Sequence, residues 1–173
     1  MDQELAISVR RAQPSDAPAL AALVNRAYEV EKSFVDGDRT SAEEIRRVMA
    51  SGAFLVLEAK GALAAAVYVE AGQGGGYIGM LSVDPALQGM GLGTRLVRIA
   101  EAMCEAMGAT WVKLKIINLR EELGRWYRSL GYREVGTSPY NPQRPVKQPC
   151  HFVEMRRVLG AGAGEAAGLS AAT

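Results

Sequence analysis

The sequence is poor in the residues that form disulfides or bind metals. Of its 173 residues, two are cysteines and one is a histidine. Cys104 lies within an apolar helical pattern, and Cys150 lies in a proline-rich stretch without a partner at metal-ligand spacing. This composition argues against a disulfide framework and is typical of proteins from reducing compartments. We therefore expect a cytoplasmic protein that needs no metal.

Long apolar runs and an excess of one charge are missing as well. No run of about 18 apolar residues occurs, and the first residues lack the basic and apolar regions of a signal peptide. The 20 Lys and Arg residues nearly balance the 19 Asp and Glu residues, so no strong field attracts nucleic acid or an anionic membrane. The expected partner is a small molecule or a peptide, and neither nucleic acid nor a membrane.

The rest of the composition is that of an ordinary globular domain. Apolar residues make up 49% of the chain and charged residues 23%, and the length suits one domain. We predict a single folded domain over residues 1–159. Residues 160–173 are rich in glycine and alanine and have no apolar face, so we expect a disordered tail there.

Capping residues and apolar periodicity predict four helices and seven strands. Their order is β-α-α-β-β-β-α-β-α-β-β, which indicates an α/β (α+β) fold with a single mixed, mostly antiparallel central sheet flanked by helices. Ser41, three residues before Glu44, marks the start of the second helix. Residues 72–76 are too rich in glycine for a regular element and are predicted to be a loop. The buried face of the third helix is predicted to run from Leu92 to Met107.

One segment combines a strand, a glycine-rich turn and a helix. It is LSVDPALQGMGLGTRLVRIAE, residues 81–101. The first N–H groups of a helix have no acceptor within it, and the helix dipole adds positive charge, so a phosphate binds there well. Glycines at 89, 91 and 93 allow the backbone to approach such a group closely. The alternative is a plain tight connection between strand and helix, which is the better interpretation of Gly89 taken alone.

Two common nucleotide-binding motifs do not fit this turn. A Walker loop ends in Gly-Lys-Ser or Gly-Lys-Thr, whereas here Gly93 is followed by Thr94 and no lysine occurs. A dinucleotide fingerprint that begins at Gly89 needs its third glycine where Thr94 stands. The spacing that fits is Q-x-x-G-x-G, formed by Gln88, Gly91 and Gly93.

With this motif the chain resembles the GNAT superfamily of N-acetyltransferases, whose signature loop has the same spacing and wraps the pyrophosphate of coenzyme A. The predicted order of elements over most of the chain is also that of the family. The resemblance implies a GNAT-like acyl-CoA N-acyltransferase fold. It also implies an enzyme that uses acetyl-CoA as co-substrate and acetylates an amine by direct attack in a ternary complex.

The resemblance further implies which residues bind acetyl-CoA. In the family, the strand before the loop and the strand after its helix splay apart, and the pantetheine arm lies between them like an added strand. An Asn after the second strand often contacts this arm, although Asn118 is two residues further from Tyr127 than the commonest family spacing. The implied residues are Leu81, Ser82, Val83, Gln88, Gly89, Met90, Gly91, Leu92, Gly93, Thr94, Asn118 and Tyr127.

Tyr127 precedes the sequence Leu-Gly-Tyr at 130–132, where the family carries a tyrosine near the CoA sulfur. An amine that attacks a thioester gives a tetrahedral intermediate, which then expels a thiolate. A neutral phenol, with an ordinary pKa of about 10, can donate a proton to it, so Tyr127 is the expected general acid. An N–H of Leu81 or Val83 would hold the oxyanion. The alternative is an ordinary aromatic on an amphipathic helix, beside Trp126, which is predicted to lie in the core.

The general base is not assigned by the sequence. Several family members carry a Glu early in the strand before the loop, where this chain has Tyr77. Water is one candidate, and the candidate side chains are Glu29, Glu31, Asp36, Asp38, Glu70 and His151. A chain without a working base would be a non-catalytic CoA-binding regulatory module, which is the alternative to an enzyme.

The acceptor is open as well. The family builds its acceptor pocket from segments equivalent to residues 29–40 and 138–148. Carboxylates in the first segment suit a cationic amine, and Arg144 and Lys147 in the second suit an anionic group. Small amines, amino acid derivatives and peptide amines are all candidates, as are acetyl and longer acyl donors. Dimers are common in the family, so a homodimer is a possible assembly.

Overall fold

The computed structural model describes residues 6–140 and 144–160. The predicted tail lies outside the described residues, apart from Gly160. Within the described residues the strands are Ile7–Arg11 (β1), Ala53–Ala59 (β2), Ala62–Gly72 (β3), Gly75–Val83 (β4), Trp111–Ile117 (β5), Arg133–Pro139 (β6) and His151–Val158 (β7). The α-helices are Ala17–Ala27 (α1), Ala42–Val48 (α2), Leu92–Ala106 (α3) and Glu121–Ser129 (α4). The predicted order of elements is therefore confirmed.

The described strands form one mixed sheet in the order β1-β2-β3-β4-β5-β7-β6. Neighbours are antiparallel except for β4 and β5, which are parallel. This is the mixed, mostly antiparallel sheet that the sequence predicts. None of the helices in the described ranges is long and apolar enough to cross a membrane.

Helices cover both faces of the sheet because β2 and β3 are apolar on both sides. One cluster joins Leu20 of α1 and Ile45 of α2 to Phe54 of β2. The other joins Leu96 of α3 to Val112 of β5 and to further strand residues. Continuous apolar runs are typical of strands buried on two faces, which explains why β2 and β3 lack the alternation of an exposed strand.

The start of α2 follows its predicted cap. The Ser41 side chain accepts a hydrogen bond of 3.2 Å from the main-chain N–H of Glu44, so one N–H of the first turn is satisfied. The Glu44 carboxylate accepts a hydrogen bond of 3.0 Å from the Thr40 hydroxyl. Local sequence therefore fixes this helix start.

The prediction that residues 72–76 form a loop is wrong. β3 continues to Gly72 and β4 begins at Gly75, so that Gln73 and Gly74 alone form the turn. Both have positive φ, 49° and 78°, as a two-residue type I′ hairpin requires. Position 75 needs a glycine for a packing reason, because a Cβ there would lie 2.1 Å from the Trp111 ring.

The predicted buried face of α3 is right at its start and wrong at its end. Leu92 and Leu96 are buried, but Met107 is 60% exposed. The last residue of α3 is Ala106, and Met107 already has non-helical dihedral angles before Gly108 turns the chain with φ of 90°. The helical period therefore no longer decides which way the Met107 side chain points.

Candidate active site

The parallel strands β4 and β5 begin as neighbours and then separate. Their pairing extends from Gly75 opposite Trp111 to Tyr77 opposite Lys113, and within the described residues it goes no further. Beyond that point most of residues 78–83 and all of residues 114–117 line a cleft of about 1090 Å³. This is the splayed pair of strands that the sequence resemblance implies.

A bulge in β4 forms part of the wall of this cleft. The register with β3 shifts so that two residues, Met80 and Leu81, face one residue of β3. Met80 has φ of 49°, a left-handed conformation that is uncommon outside glycine. Its carbonyl accepts a hydrogen bond of 2.9 Å from the buried Ser82 hydroxyl. Because a bulge interrupts the ladder, it frees main-chain polar groups at this point.

The first turn of α3 lines the same cleft. Gly91 is its N-cap, with φ of 79°, and its carbonyl accepts from the main-chain N–H of Arg95 at 3.0 Å. The N–H groups of Leu92, Gly93 and Thr94 therefore have no acceptor within the helix. Together with the helix dipole they form a cradle that fits a phosphate group.

The glycines of this turn serve different purposes. Gly89 and Gly91 have positive φ, and a Cβ at either would meet nothing within 4 Å, so backbone conformation and not packing calls for glycine there. At Gly93, an added Cβ would lie 3.5 Å from the ring of Trp126. Trp126, predicted to lie in the core, is only partly buried: it packs against the core and also lines the cleft.

The structure brings most of the predicted acetyl-CoA residues together. Three of them do not line the cleft: Ser82 is bonded to Met80, Met90 is exposed, and the side-chain oxygen of Asn118 accepts from the main-chain N–H of His151 at 2.9 Å. The residues that do line it are Leu81, Val83, Gln88, Gly89, Gly91, Leu92, Gly93, Thr94 and Tyr127.

Tyr127 lies in an aromatic part of the wall. Its ring is 4.8 Å from that of Trp126 and 5.5 Å from that of Tyr132, measured between centroids. Burial raises the pKa of Tyr127 above its ordinary value of 10.0, and the nearby phenols of Tyr28 and Tyr77 act in the same direction. The Tyr127 hydroxyl therefore keeps its proton at neutral pH.

Among the candidate bases, Glu31 is distinguished by its position. It belongs to a 3-10 turn, Glu29–Ser33, is only 4% exposed and lines the cleft. Its carboxylate lies 3.1 Å from the Arg120 guanidinium. Burial raises the pKa of Glu31 above its ordinary value of 4.5, although the positive charges of Arg120 and Arg39 oppose this effect.

The other candidate bases are less suitable. The carboxylates of Glu29, Asp36 and Asp38 are more than half exposed, and each pairs with a lysine. Glu70 lies outside the cleft and accepts a hydrogen bond from Tyr68. His151 is exposed and does not line the cleft. Within the described residues, no group of three or more His, Cys, Asp or Glu side chains could hold a metal ion.

The two segments predicted to select the acceptor join to form one wall. Val35 and Val146 form an isolated β-bridge. The main-chain N–H of Asp36 donates to the Pro145 carbonyl at 2.8 Å, and that of Lys147 donates to the Phe34 carbonyl at 2.7 Å. Residues 141–143 of the second segment lie outside the described residues.

Tyr28, Arg39 and Arg120 line the cleft as well, and the sequence did not single out any of them. Tyr28 is the last residue of an apolar helical face, so the periodicity predicts a core position for it and gives no indication of the cleft. Arg120 lies two residues beyond Asn118, at the N-cap of α4, and its sequence context gives no sign of its contact with Glu31. For Arg39, the charged composition of residues 29–40 indicates that this segment borders the acceptor pocket.

Comparison with known proteins identifies the family. A family model described as the acetyltransferase (GNAT) domain matches residues 24–159. No curated protein matches the chain. Similar solved structures include the ribosomal-protein-S18-alanine N-acetyltransferase from Escherichia coli, with 18% identity, a TM-score of 0.75, and coverage of 89% of this chain and 94% of that one.

Two further structures show the same fold. An acetyltransferase of the GNAT family from Streptococcus pneumoniae has 19% identity and a TM-score of 0.69, with coverage of 90% of this chain and 100% of that one. An N-acetyltransferase from Staphylococcus aureus Mu50 has 15% identity and a TM-score of 0.72, with coverage of 89% and 99%. Because the family model spans most of the chain, this protein belongs to the GNAT family of acetyltransferases, enzymes that use acetyl-CoA as co-substrate.

Proposed function

We propose that this protein is an N-acetyltransferase in which an amine attacks acetyl-CoA directly within a ternary complex, with Glu31 as general base and Tyr127 as general acid. One observation carries the proposal. A phosphate cradle at the start of α3, a splayed pair of strands, a buried carboxylate and a buried phenol all line one cleft.

The residues of the cleft suit acetyl-CoA. The N–H groups of Leu92, Gly93 and Thr94 would bind the pyrophosphate, and Gly89 and Gly91 leave open space beside it. The separated edges of β4 and β5 offer main-chain groups to the pantetheine arm. Acetyl-CoA supplies the activated acetyl group. A main-chain N–H near the β4 bulge, at Leu81 or Val83, would stabilise the negative charge that develops on the acetyl oxygen.

Glu31 would accept the proton of the amine, directly or through a water molecule. An amine like that of lysine has a pKa of about 10.4 and is mostly protonated at neutral pH, so a base must remove a proton before or during attack. Burial raises the pKa of the Glu31 carboxyl, which makes it a better base than an ordinary carboxylate. Arg120 would hold it in place through their ion pair.

Tyr127 would donate a proton to the departing sulfur. A phenol that keeps its proton at neutral pH can donate it. Before the next turnover the phenolate would regain a proton from solvent, and the protonated Glu31 would release one to solvent. The apolar surroundings that raise the pKa of Tyr127 would also raise that of a thiolate expelled beside it, so the two groups stay matched. Alignment of amine and thioester in the cleft would contribute further to the rate.

The alternative, a non-catalytic CoA-binding module, was kept open because this chain has Tyr77 where several family members have a Glu. Glu31 supplies a buried carboxylate to the same cleft from another element. Together with the family match, this favours the enzyme.

Calorimetry and a thiol-release assay on one preparation test the proposal. Acetyl-CoA should bind with one site per chain, and free thiol should accumulate with one class among a panel of amines, amino acids and peptides. Binding without thiol release on any acceptor would contradict the catalytic proposal. No binding at all would contradict the assignment of the cleft.

A further inference from the structure

We infer that the acceptor is a small amine that itself carries a carboxylate, and that Arg39 and Arg144 bind this carboxylate. The inference rests on the proposed function, because it concerns the acceptor side of the same cleft. It names a substrate class, amino acids and related amino acid-like amines, and two residues that determine specificity.

Charge pairing within the wall of the cleft is the first observation. Several of its charged side chains already have partners of opposite charge within the fold: Glu31 and Glu122 both pair with Arg120, Asp38 pairs with Lys32, and Lys115 pairs with Glu154. Arg39 and Arg144 also line the cleft, and neither forms an ion pair with any residue in the described part of the chain.

Arg144 is held in place by hydrogen bonds from only two of its three guanidinium nitrogens. Its Nη2 donates to the Gly37 carbonyl at 2.9 Å, and its Nε donates to the Asp36 carbonyl at 3.3 Å. Its Nη1 is buried, yet it has no hydrogen-bond partner among the described residues. The guanidinium is therefore fixed by two carbonyls, and its positive charge has no carboxylate partner in the described part of the chain.

Arg39 presents a second guanidinium to the same place. Its Cζ lies 5.4 Å from the centre of the Tyr28 ring, over the ring face. Because Arg144 is bonded to the carbonyls of Asp36 and Gly37, both guanidinium groups border the segment that carries Glu31. Guanidinium groups in the wall of one cleft can bind a carboxylate through paired hydrogen bonds.

The position of these arginines decides between the acceptor and coenzyme A. The phosphates of coenzyme A have their own cradle at the start of α3. Arg39 and Arg144 instead border the segment that carries Glu31, the proposed base, where the amine must sit. An ammonium next to Glu31 and a carboxylate next to the arginines are the two charges of an amino acid, which lie only a few bonds apart.

Binding to the enzyme loaded with coenzyme A tests the inference without turnover, because no acetyl group is present. The probes are free amino acids, each compared with its own C-terminal amide, which keeps the amine and loses the negative charge. We expect the best acid to bind at least about 10-fold more tightly than its amide, as hydrogen bonds to charged groups predict.

Variants assign this preference to the two arginines. Arg39→Gln should weaken binding of the acid about 10-fold or more and change binding of the amide less than about 2-fold. Arg144→Gln should act in the same direction. Arg144→Lys keeps the charge but loses the planar fork, so we expect an intermediate loss. Arg125→Gln is the matched control, since Arg125 is 68% exposed and lies outside the cleft. Unchanged affinity for coenzyme A shows that each variant is folded.

The outcomes separate this inference from the proposed function. If the wild-type enzyme binds amides as tightly as acids, or if Arg39→Gln and Arg144→Gln both keep the preference, the inference is wrong. Thiol release with neutral amines and no preference for acids would overturn it and leave the proposed function standing. Preferential binding of acids without thiol release from acetyl-CoA would support the carboxylate site and contradict the proposed function.

Discussion

The Glu31 carboxylate and the Arg120 guanidinium form a partly buried ion pair, 3.1 Å between oxygen and nitrogen, although 89 residues separate them in the chain. The pair joins the turn after α1 to the start of α4 at the wall of the cleft. Arg120 favours the charged form of Glu31, while burial disfavours it, and burial is the larger effect on the pKa. A carboxylate with these properties can act as a base, and its protonation is measurable.

Replacement of Glu31 tests its role as base. We expect Glu31→Gln to lower kcat by about 100-fold or more, as loss of a general base does. In the wild-type enzyme kcat/KM should fall as the pH is lowered through the pKa of Glu31. Because that pKa is raised, this acid limb lies above pH 4.5, and it should vanish in the variant.

The control for Glu31 is Glu29→Gln, because Glu29 lies on the same turn with a side chain that is 64% exposed. It should keep both the wild-type rate and the acid limb. A Glu31→Gln enzyme that kept the wild-type limb would assign the base to another group or to water.

Replacement of Tyr127 by Phe tests the general acid. The phenyl ring keeps its packing against Trp126 and Tyr132 and loses only the hydroxyl. We expect kcat to fall by about 100-fold, while the affinity for acetyl-CoA changes less than about 2-fold. Tyr68→Phe, which removes a phenol outside the cleft, should leave kcat unchanged. An equal rate for Tyr127→Phe and the wild type would leave Tyr127 as an ordinary aromatic of α4.

Glycines at the two ends of α3 separate ligand binding from backbone strain. Gly91 and Gly108 both have positive φ, 79° and 90°, and a Cβ at either would meet nothing within 4 Å. Gly91→Ala and Gly108→Ala should therefore each lower the free energy of unfolding by about 1 kcal/mol. Only Gly91→Ala should also weaken acetyl-CoA binding, by about 10-fold or more, because Gly91 belongs to the phosphate cradle. Calorimetry and thermal unfolding of both variants check this, and equal affinities would argue against the cradle.

A pair of glycines at the β3–β4 turn tests the packing of the sheet. A Cβ at Gly75 would lie 2.1 Å from the Trp111 ring, whereas a Cβ at Gly72 would meet nothing within 4 Å. Gly75→Ala should lower the free energy of unfolding by about 1–3 kcal/mol, as overpacking does. Gly72→Ala should change it by less than about 0.5 kcal/mol. Denaturant unfolding measures both, and equal stability of the two variants would contradict the packing of Trp111 against β4.

The sequence predicts those parts of the fold that local interactions determine. Ser41 marks the start of α2 because its side chain caps the helix within three residues. The turn after β4 is predictable because its glycines and the start of the helix that follows lie within one short segment of the sequence. Residues 72–76 were not predicted correctly because the reason for a glycine at position 75 is distant in sequence. Gly75 pairs with Trp111 in the sheet and leaves room for its ring.

The candidate site shows the same division. Gly91 and the first turn of α3 could be found from one segment. Glu31 could not be separated from Glu29, Asp36 or Asp38, because the residue that pairs with it, Arg120, lies 89 residues further along the chain. Asn118 matches a family position, but its side-chain oxygen accepts a hydrogen bond from the main-chain N–H of His151 in β7. The sequence around Asn118 does not indicate this contact with a distant strand.

Main-chain amide resonances, followed while acetyl-CoA is added, test most directly that this cleft is the acetyl-CoA site. We predict the largest shifts for Leu92, Gly93 and Thr94 at the start of α3, and for residues 78–83 and 114–117 on the two separated strands. The same titration with S-acetylpantetheine, which lacks the pyrophosphate, should shift the strand resonances and leave those of Leu92 to Thr94 nearly unchanged. Shifts confined to other parts of the chain, or no shifts with acetyl-CoA, would contradict this assignment of the site.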